Sequence, residues 1–184
     1  MIKNFLNRVI PGTPQQILTG DSWDTGRLRV DVGQTGFWEG REFRLDIEVS
    51  APIVYKFSSP VNFILQFQTL LSHDGISTFT AYRAADGTEG GTFTGDGIAN
   101  FPNNAMSDAP AYVQQTVITK GGTFAPTGTP VPREFIKSRA ATATAQQTTI
   151  GGSAIQERGL PPGDYYLVFT GTDASYRLVY EERP

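Results

Sequence analysis

Along most of this chain apolar and polar residues alternate with a period of two. The clearest case is residues 41–49, R-E-F-R-L-D-I-E-V, where Phe43, Leu45, Ile47 and Val49 fall on one face and Glu42, Arg44, Asp46 and Glu48 on the other. Period two is the signature of a half-buried strand, and the charges of opposite sign on the polar face suit cross-strand pairing. Residues 27–32 repeat the pattern with Leu28, Val30 and Val32. Residues 53–57 predict a short strand. In 61–71, V-N-F-I-L-Q-F-Q-T-L-L, continued alternation puts Val61, Phe63, Leu65 and Phe67 on one face. After the turn S-H-D-G, residues 76–83 are expected to return antiparallel to that strand. Leu45, Ile47, Phe63, Leu65 and Phe67 are the expected core.

The last segment carries the strongest signal. Pro161, Pro162 and Gly163 make a turn, after which Tyr165, Leu167 and Phe169 alternate with Tyr166, Val168 and Thr170. Gly171–Ala174 reverse the chain, and Tyr176, Leu178 and Tyr180 alternate with Ser175, Arg177, Val179 and Glu181. Two such strands predict a hairpin. One so rich in aromatic and β-branched residues is not stable alone, so it is expected in the middle of a larger sheet.

Between these segments the pattern breaks. Residues 84–111 scatter Phe93, Ile98, Phe101 and Met106 among glycines, prolines and asparagines, predicting a long loop. A strand is expected over 112–119, a second long loop over 120–150 and a further strand over 153–158. Within the second loop, residues 132–141 read as the one short helix, with Pro132 at a first helical position and Ala140 and Ala141 as good helix formers. Phe5, Leu6, Val9 and Ile10 precede P-G-T-P, which sets residues 1–14 off as an N-terminal arm from a single domain over 15–184.

Composition narrows the class. The chain has 184 residues, enough for one sizeable core, with 20 Gly, 12 Pro and no Cys. Disulfides, thiolate metal sites and a cysteine nucleophile are therefore excluded. A net charge of −3, with acids and bases interspersed, gives no positive field for nucleic acid. No apolar run approaches bilayer-spanning length, and the opening residues lack the apolar core of a signal peptide, so folding in the cytoplasm is expected and a membrane partner is not.

Candidate chemistry is sparse. The single histidine, His73, sits in a turn with no motif to supply a nucleophile beside it. Asp86, Glu89, Asp96 and Asp108 share a glycine-rich stretch, but their spacing matches no calcium-loop pattern. The glycine runs lack the strand-to-helix context and the Lys-Ser/Thr pair of a phosphate-binding loop. Trp23, Phe37 and Trp38 suit either sugar stacking or a structural cap. No enzymatic activity, metal or cofactor is expected.

The predicted fold is an all-β antiparallel sandwich, jelly-roll-like, with long loops and at most one short helix; the Cys and Trp landmarks of an immunoglobulin domain are missing. A cysteine-free, Thr/Gly/Pro-rich chain with an apolar arm, long loops and the ending P-P-G-D-Y-Y-L-V-F-T-G resembles the capsid decoration, or cement, proteins of tailed bacteriophages. The resemblance implies a virion protein, a homotrimer bound to the major capsid protein on the outside of the head. Phe5, Leu6, Val9, Phe93, Phe101, Met106, Phe124, Arg133, Phe135, Lys137 and Arg139 are the candidate interface residues, being apolar or basic groups outside the strand pattern. Three alternatives remain: another virion part, such as a head-fibre base, tail adaptor or receptor-binding tip; a carbohydrate-binding β-sandwich module using Trp23 and Trp38; or an enzyme with dispersed acids.

Overall fold

The computed structural model describes residues 35–106, 111–127, 134–140, 146–151 and 158–184. The arm over 1–14, the strand over 27–32, Trp23, Asp108 and Arg133 lie outside them. Gly36–Pro184 forms one compact unit. After one helical turn, α1 (Thr35–Trp38), come four long strands: β1 (Glu42–Val49), β2 (Ile53–Ser59), β3 (Asn62–Ser72) and β4 (Ile76–Arg83). A 3-10 turn (Ala84–Asp86) opens an insertion holding β5 (Gly87–Gly90), β6 (Ala99–Pro102), β7 (Val117–Lys120) and β8 (Thr123–Pro126). The chain then forms β9 (Glu134–Arg139), β10 (Gln146–Gly151), β11 (Arg158–Leu160), β12 (Gly163–Thr170) and β13 (Ala174–Arg183).

Two sheets face each other. Sheet A has the order β10-β3-β13-β1-β6, with β11 also on β3, and sheet B the order β7-β2-β12-β4-β9. Without β6, β7 and β11 these reduce to β10-β3-β13-β1 over β9-β4-β12-β2, the eight-stranded double Greek key of a jelly roll. β12 and β13 are each the central strand of a sheet, which accounts for the density of aromatic residues in the last segment.

They are not a hairpin, however. β12 pairs with β2 and β4, and β13 with β1 and β3, so the chain arches from one sheet to the other through Gly171–Asp173. β3 and β4 are separated in the same way. Alternation with a period of two fixes which side chains point inward, and it is the same for a hairpin and an arch. The arch needs its glycine: Gly171 has φ +120°, and a Cβ there would lie 2.6 Å from Ser77 Oγ.

The core between the sheets holds Phe43, Leu45, Ile47, Tyr55, Phe57, Phe63, Leu70, Phe79, Tyr165, Leu167, Phe169, Tyr176, Leu178 and Tyr180. Its aromatic rings pack in series, Phe57 on Phe63 at 4.9 Å and Phe79 on Tyr176 at 4.6 Å. Leu45, Ile47 and Phe63 are buried as expected, and Leu65 packs against the core half-buried. Phe67 does not point inward. Opposite β13, Val179 pairs with Phe67 and the next residue, Tyr180, with Leu65, so Gln66 is an extra residue bulged out of β3. Beyond the bulge the phase inverts: Gln68, Leu70 and Ser72 are buried, while Phe67, Thr69 and Leu71 belong to the outer face.

The insertion extends the sandwich. β6 adds to β1 at one edge of sheet A, and β7 adds to β2 at an edge of sheet B. The β5–β8 ribbon lies on the outside of sheet B, where Phe124 stacks on Tyr166 of β12. The predicted strand over 112–119 forms only from Val117, because Tyr112, Gln115 and Thr116 bond instead to the carboxylate of Glu182. The predicted helix over 132–141 is a strand, β9, in register with β4 from Ile76↔Arg139 to Ala81↔Glu134. E-F-I-K-S-R alternates with a period of two, and pairing with β4 outweighs the helix propensity of the alanines that follow.

Candidate docking surface

β9 is the last strand of sheet B, pairing only with β4 among the named strands. Its inward residues Ile136, Ser138 and Ala140 are buried, and its outward residues Phe135, Lys137 and Arg139 are exposed, Phe135 to 54%. The register continues this face across the sheet. Phe135 lies beside Thr80, Val168 and Val54; Lys137 beside Thr78 and Thr170; Arg139 beside Ile76, itself 48% exposed. Thr78 Oγ1 and Thr170 Oγ1 share a hydrogen bond of 2.5 Å, which ties the two strands on the outside as well as through the backbone. The result is a face of threonines and short aliphatics with one protruding aromatic ring and two cations along its edge.

Three of the eleven interface candidates, Phe135, Lys137 and Arg139, are thus brought together. Phe101, at 49% exposed, is on β6 beside Arg44, and Met106, at 48%, follows four residues after the end of β6. Phe124 is buried between Tyr166, at 4.3 Å, and Tyr82, at 5.7 Å. Phe93 is half-buried, edge-on to Tyr166 at 6.0 Å. These two rings hold the insertion to sheet B. Phe5, Leu6, Val9 and Arg133 lie outside the described residues. Ile76, Thr78 and Thr80 were not singled out in the sequence; their outward phase in residues 76–83 was the available signal.

Several titratable groups elsewhere have structural partners. Asp86 Oδ2 accepts from the Arg83 amide at 3.0 Å and closes the 3-10 turn. Glu89 accepts from Lys56 Nζ at 2.7 Å and from the Tyr166 hydroxyl, and Lys56 before Tyr166 holds its carboxyl below the usual range. Glu181 is buried under α1, so closely that a Cβ on Gly36 would come 2.1 Å from its Cδ. Burial raises its pKa, opposed by Arg183 and Arg41, whose guanidinium nitrogens lie 2.9 and 3.2 Å from Oε1. Trp38 is exposed and edge-on to Phe37 at 5.2 Å.

His73 Nε2 lies 2.8 Å from Ser175 Oγ, a pair that resembles the start of a nucleophile–base relay. The direction of the proton argues otherwise. Ser175 donates its hydrogen to Glu48 Oε2 at 2.8 Å, so the hydroxyl accepts from His73 rather than giving it a proton, and the acid contacts the serine rather than the imidazole. Among the described residues no three of His, Asp and Glu gather at metal-binding distance.

No family model matches this chain, and neither do any curated protein or solved structure.

Proposed function

We propose that this protein is a structural component of a virion, a capsid decoration or cement protein that binds the outside of a phage head as a homotrimer. The observation that carries the reading is the outward face of β9, where Phe135, Lys137 and Arg139 are exposed together on a terminal strand of sheet B. A protruding ring flanked by guanidinium and ammonium groups suits an apolar pocket rimmed by carboxylates, and we assign that partner to a capsid subunit. Paired strands tied on the outside by the Thr78–Thr170 hydrogen bond give a rigid platform, so little conformational entropy is lost on docking. Many copies on one shell make a contact of modest area sufficient. Phe101 and Met106, on the β6 side, are the residues we assign to contacts between copies: a patch at one edge meeting a different patch on the next subunit closes a ring.

The test uses purified shells stripped of this protein. The full chain is expected to co-sediment with shells and to have a trimer's mass by light scattering. Phe135→Ser with Lys137→Glu should leave its melting temperature within a few degrees, since both residues are exposed, and should abolish shell binding. A monomer that binds no shell, or a double variant that binds as well as the parent, overturns the reading.

A further inference from the structure

The outer face of sheet A, on the opposite side of the sandwich from the docking surface, carries a groove of about 410 Å³. Its floor and walls come from three adjacent strands in consecutive rows. Asp46, Arg177 and Thr69 form one row across β1, β13 and β3; Glu48, Ser175 and Leu71 form the next; Phe67 lies in the row before. The side chains come from positions up to 131 residues apart.

The groups are already partly engaged. Asp46 Oδ1 accepts from Arg177 Nε at 2.6 Å, and Arg44 Nε lies 2.9 Å from Asp46 Oδ2. Ser175 Oγ bonds Glu48 and His73, each at 2.8 Å. Thr69 is the exception. Only 9% exposed and lining the groove, its hydroxyl has no hydrogen-bond partner among the described residues. A buried hydroxyl without a partner is destabilising in the free protein, and a ligand hydroxyl that reached it would supply the missing bond.

We propose that this groove is a binding site for a neutral saccharide. An anion is disfavoured, because two carboxylates face a single lining guanidinium whose Nε is already committed. A metal ion is disfavoured by the lack of a third carboxylate or imidazole ligand at bonding distance among the described residues. An apolar ligand would strand the carboxylates and hydroxyls. A sugar satisfies all of them. Its hydroxyls donate to Asp46 and Glu48, one accepts from or donates to Thr69, and a C–H face of the ring lies on Phe67 and Leu71.

Thr69→Val separates this proposal from a purely structural role, because the substitution keeps the shape and removes the unpartnered hydroxyl. Thr69→Val is expected to melt at the same temperature as the parent or higher, yet to bind less tightly by at least about tenfold. The probes are neutral trisaccharides built on glucose, galactose, mannose and N-acetylglucosamine, at millimolar concentration, read by saturation-transfer NMR and calorimetry on the full chain. At least one is expected to bind saturably, with Glu48→Gln weakening it and Phe135→Ser leaving it unchanged. Failure of every probe to bind overturns the proposal, as does binding that is unaffected by both Thr69→Val and Glu48→Gln. Saturable binding of calcium chloride alone at the groove, with no sugar response, would replace the saccharide by a metal and overturn it too.

Discussion

The rings of Phe124 and Tyr166 lie 4.3 Å apart and within 13° of parallel, and this stack joins the inserted β5–β8 ribbon to the central strand of sheet B. Tyr82 flanks the same ring at 5.7 Å. The ribbon covers Tyr166, which would otherwise be an exposed aromatic on the outside of the sheet. Phe124→Ala should therefore cost about 3 kcal/mol, the lower end for truncating a buried phenylalanine. The loss should be local. Limited proteolysis is expected to cut first within residues 87–126, with the sandwich core still protected. A variant cut no faster than the parent would mean that the ribbon is held by its strand pairing alone.

The ribbon should also respond to pH. Lys56 Nζ contacts Glu89 at 2.7 Å and Asp164 at 3.4 Å, and Glu89 before the others raises its pKa above the lysine range. Glu89 is shifted the opposite way, downward. A carboxylate with a lowered folded pKa contributes stability above its unfolded value and loses it as pH falls through the folded one; a lysine with a raised pKa contributes below its unfolded value and loses it as pH rises through the folded one. Between these limits both are charged. Protection of residues 87–126 should thus be level from about pH 5 to 9 and fall below about pH 4, past the ordinary glutamate value of about 4.3. Glu89→Gln should remove that acid limb at a cost of about 0.5 kcal/mol at neutral pH, the pair being partly exposed. An acid limb that survives the substitution would place the titration elsewhere.

Alternation in residues 41–49 and 175–181 identified the inward side chains of β1 and β13, because one face of each strand is decided by burial. What it does not encode is the partner. Arches and hairpins carry the same period, so β12 and β13 read as neighbours although they occupy different sheets. Phe135, Lys137 and Arg139 were identified as candidates on a presumed helix, and they share a face on β9 because residues two apart on a strand do so. The groove on sheet A had no such signal: Asp46, Thr69 and Arg177 are adjacent only through strand register.

The bulge at Gln66 makes a sharp distinction between neighbours in β3. Leu70 is fully buried, and Leu70→Ala should cost about 2–5 kcal/mol. Phe67, although the larger residue and the expected continuation of the Phe63–Leu65 face, is half-buried on the outer side; Phe67→Ala should cost less than about 1.5 kcal/mol. Urea denaturation of the two variants settles the phase. A larger loss at Phe67 than at Leu70 would require unbroken alternation through Gln66.

Glu182 is the most consequential polar residue in the core, and its role is tested by separating shape from charge. It is fully buried at the end of β13. Its Oε1 accepts from the Thr116 amide at 2.7 Å, its Oε2 from the Gln115 amide at 3.0 Å and from the Tyr112 hydroxyl at 2.9 Å. Its own amide donates to the Arg41 carbonyl at 2.9 Å, and Arg41 Nη1 donates to its carbonyl at 2.7 Å. One carboxylate thereby orders residues 112–116, which the sequence pattern had assigned to the start of a strand. Glu182→Ala would leave two backbone amides and a phenol without acceptors and should cost at least about 3 kcal/mol, since hydrogen bonds to a charged acceptor contribute about 1.5–3 kcal/mol each and orphaned donors add a penalty. Glu182→Gln keeps the volume but turns one acceptor oxygen into a donor, so it should lose about 1–2 kcal/mol and selectively unprotect the amides on that side. Amide hydrogen exchange at Gln115 and Thr116 gives the reading directly. Undiminished protection of both amides in Glu182→Gln would mean that packing of residues 112–116, rather than the buried carboxylate, holds this segment in place.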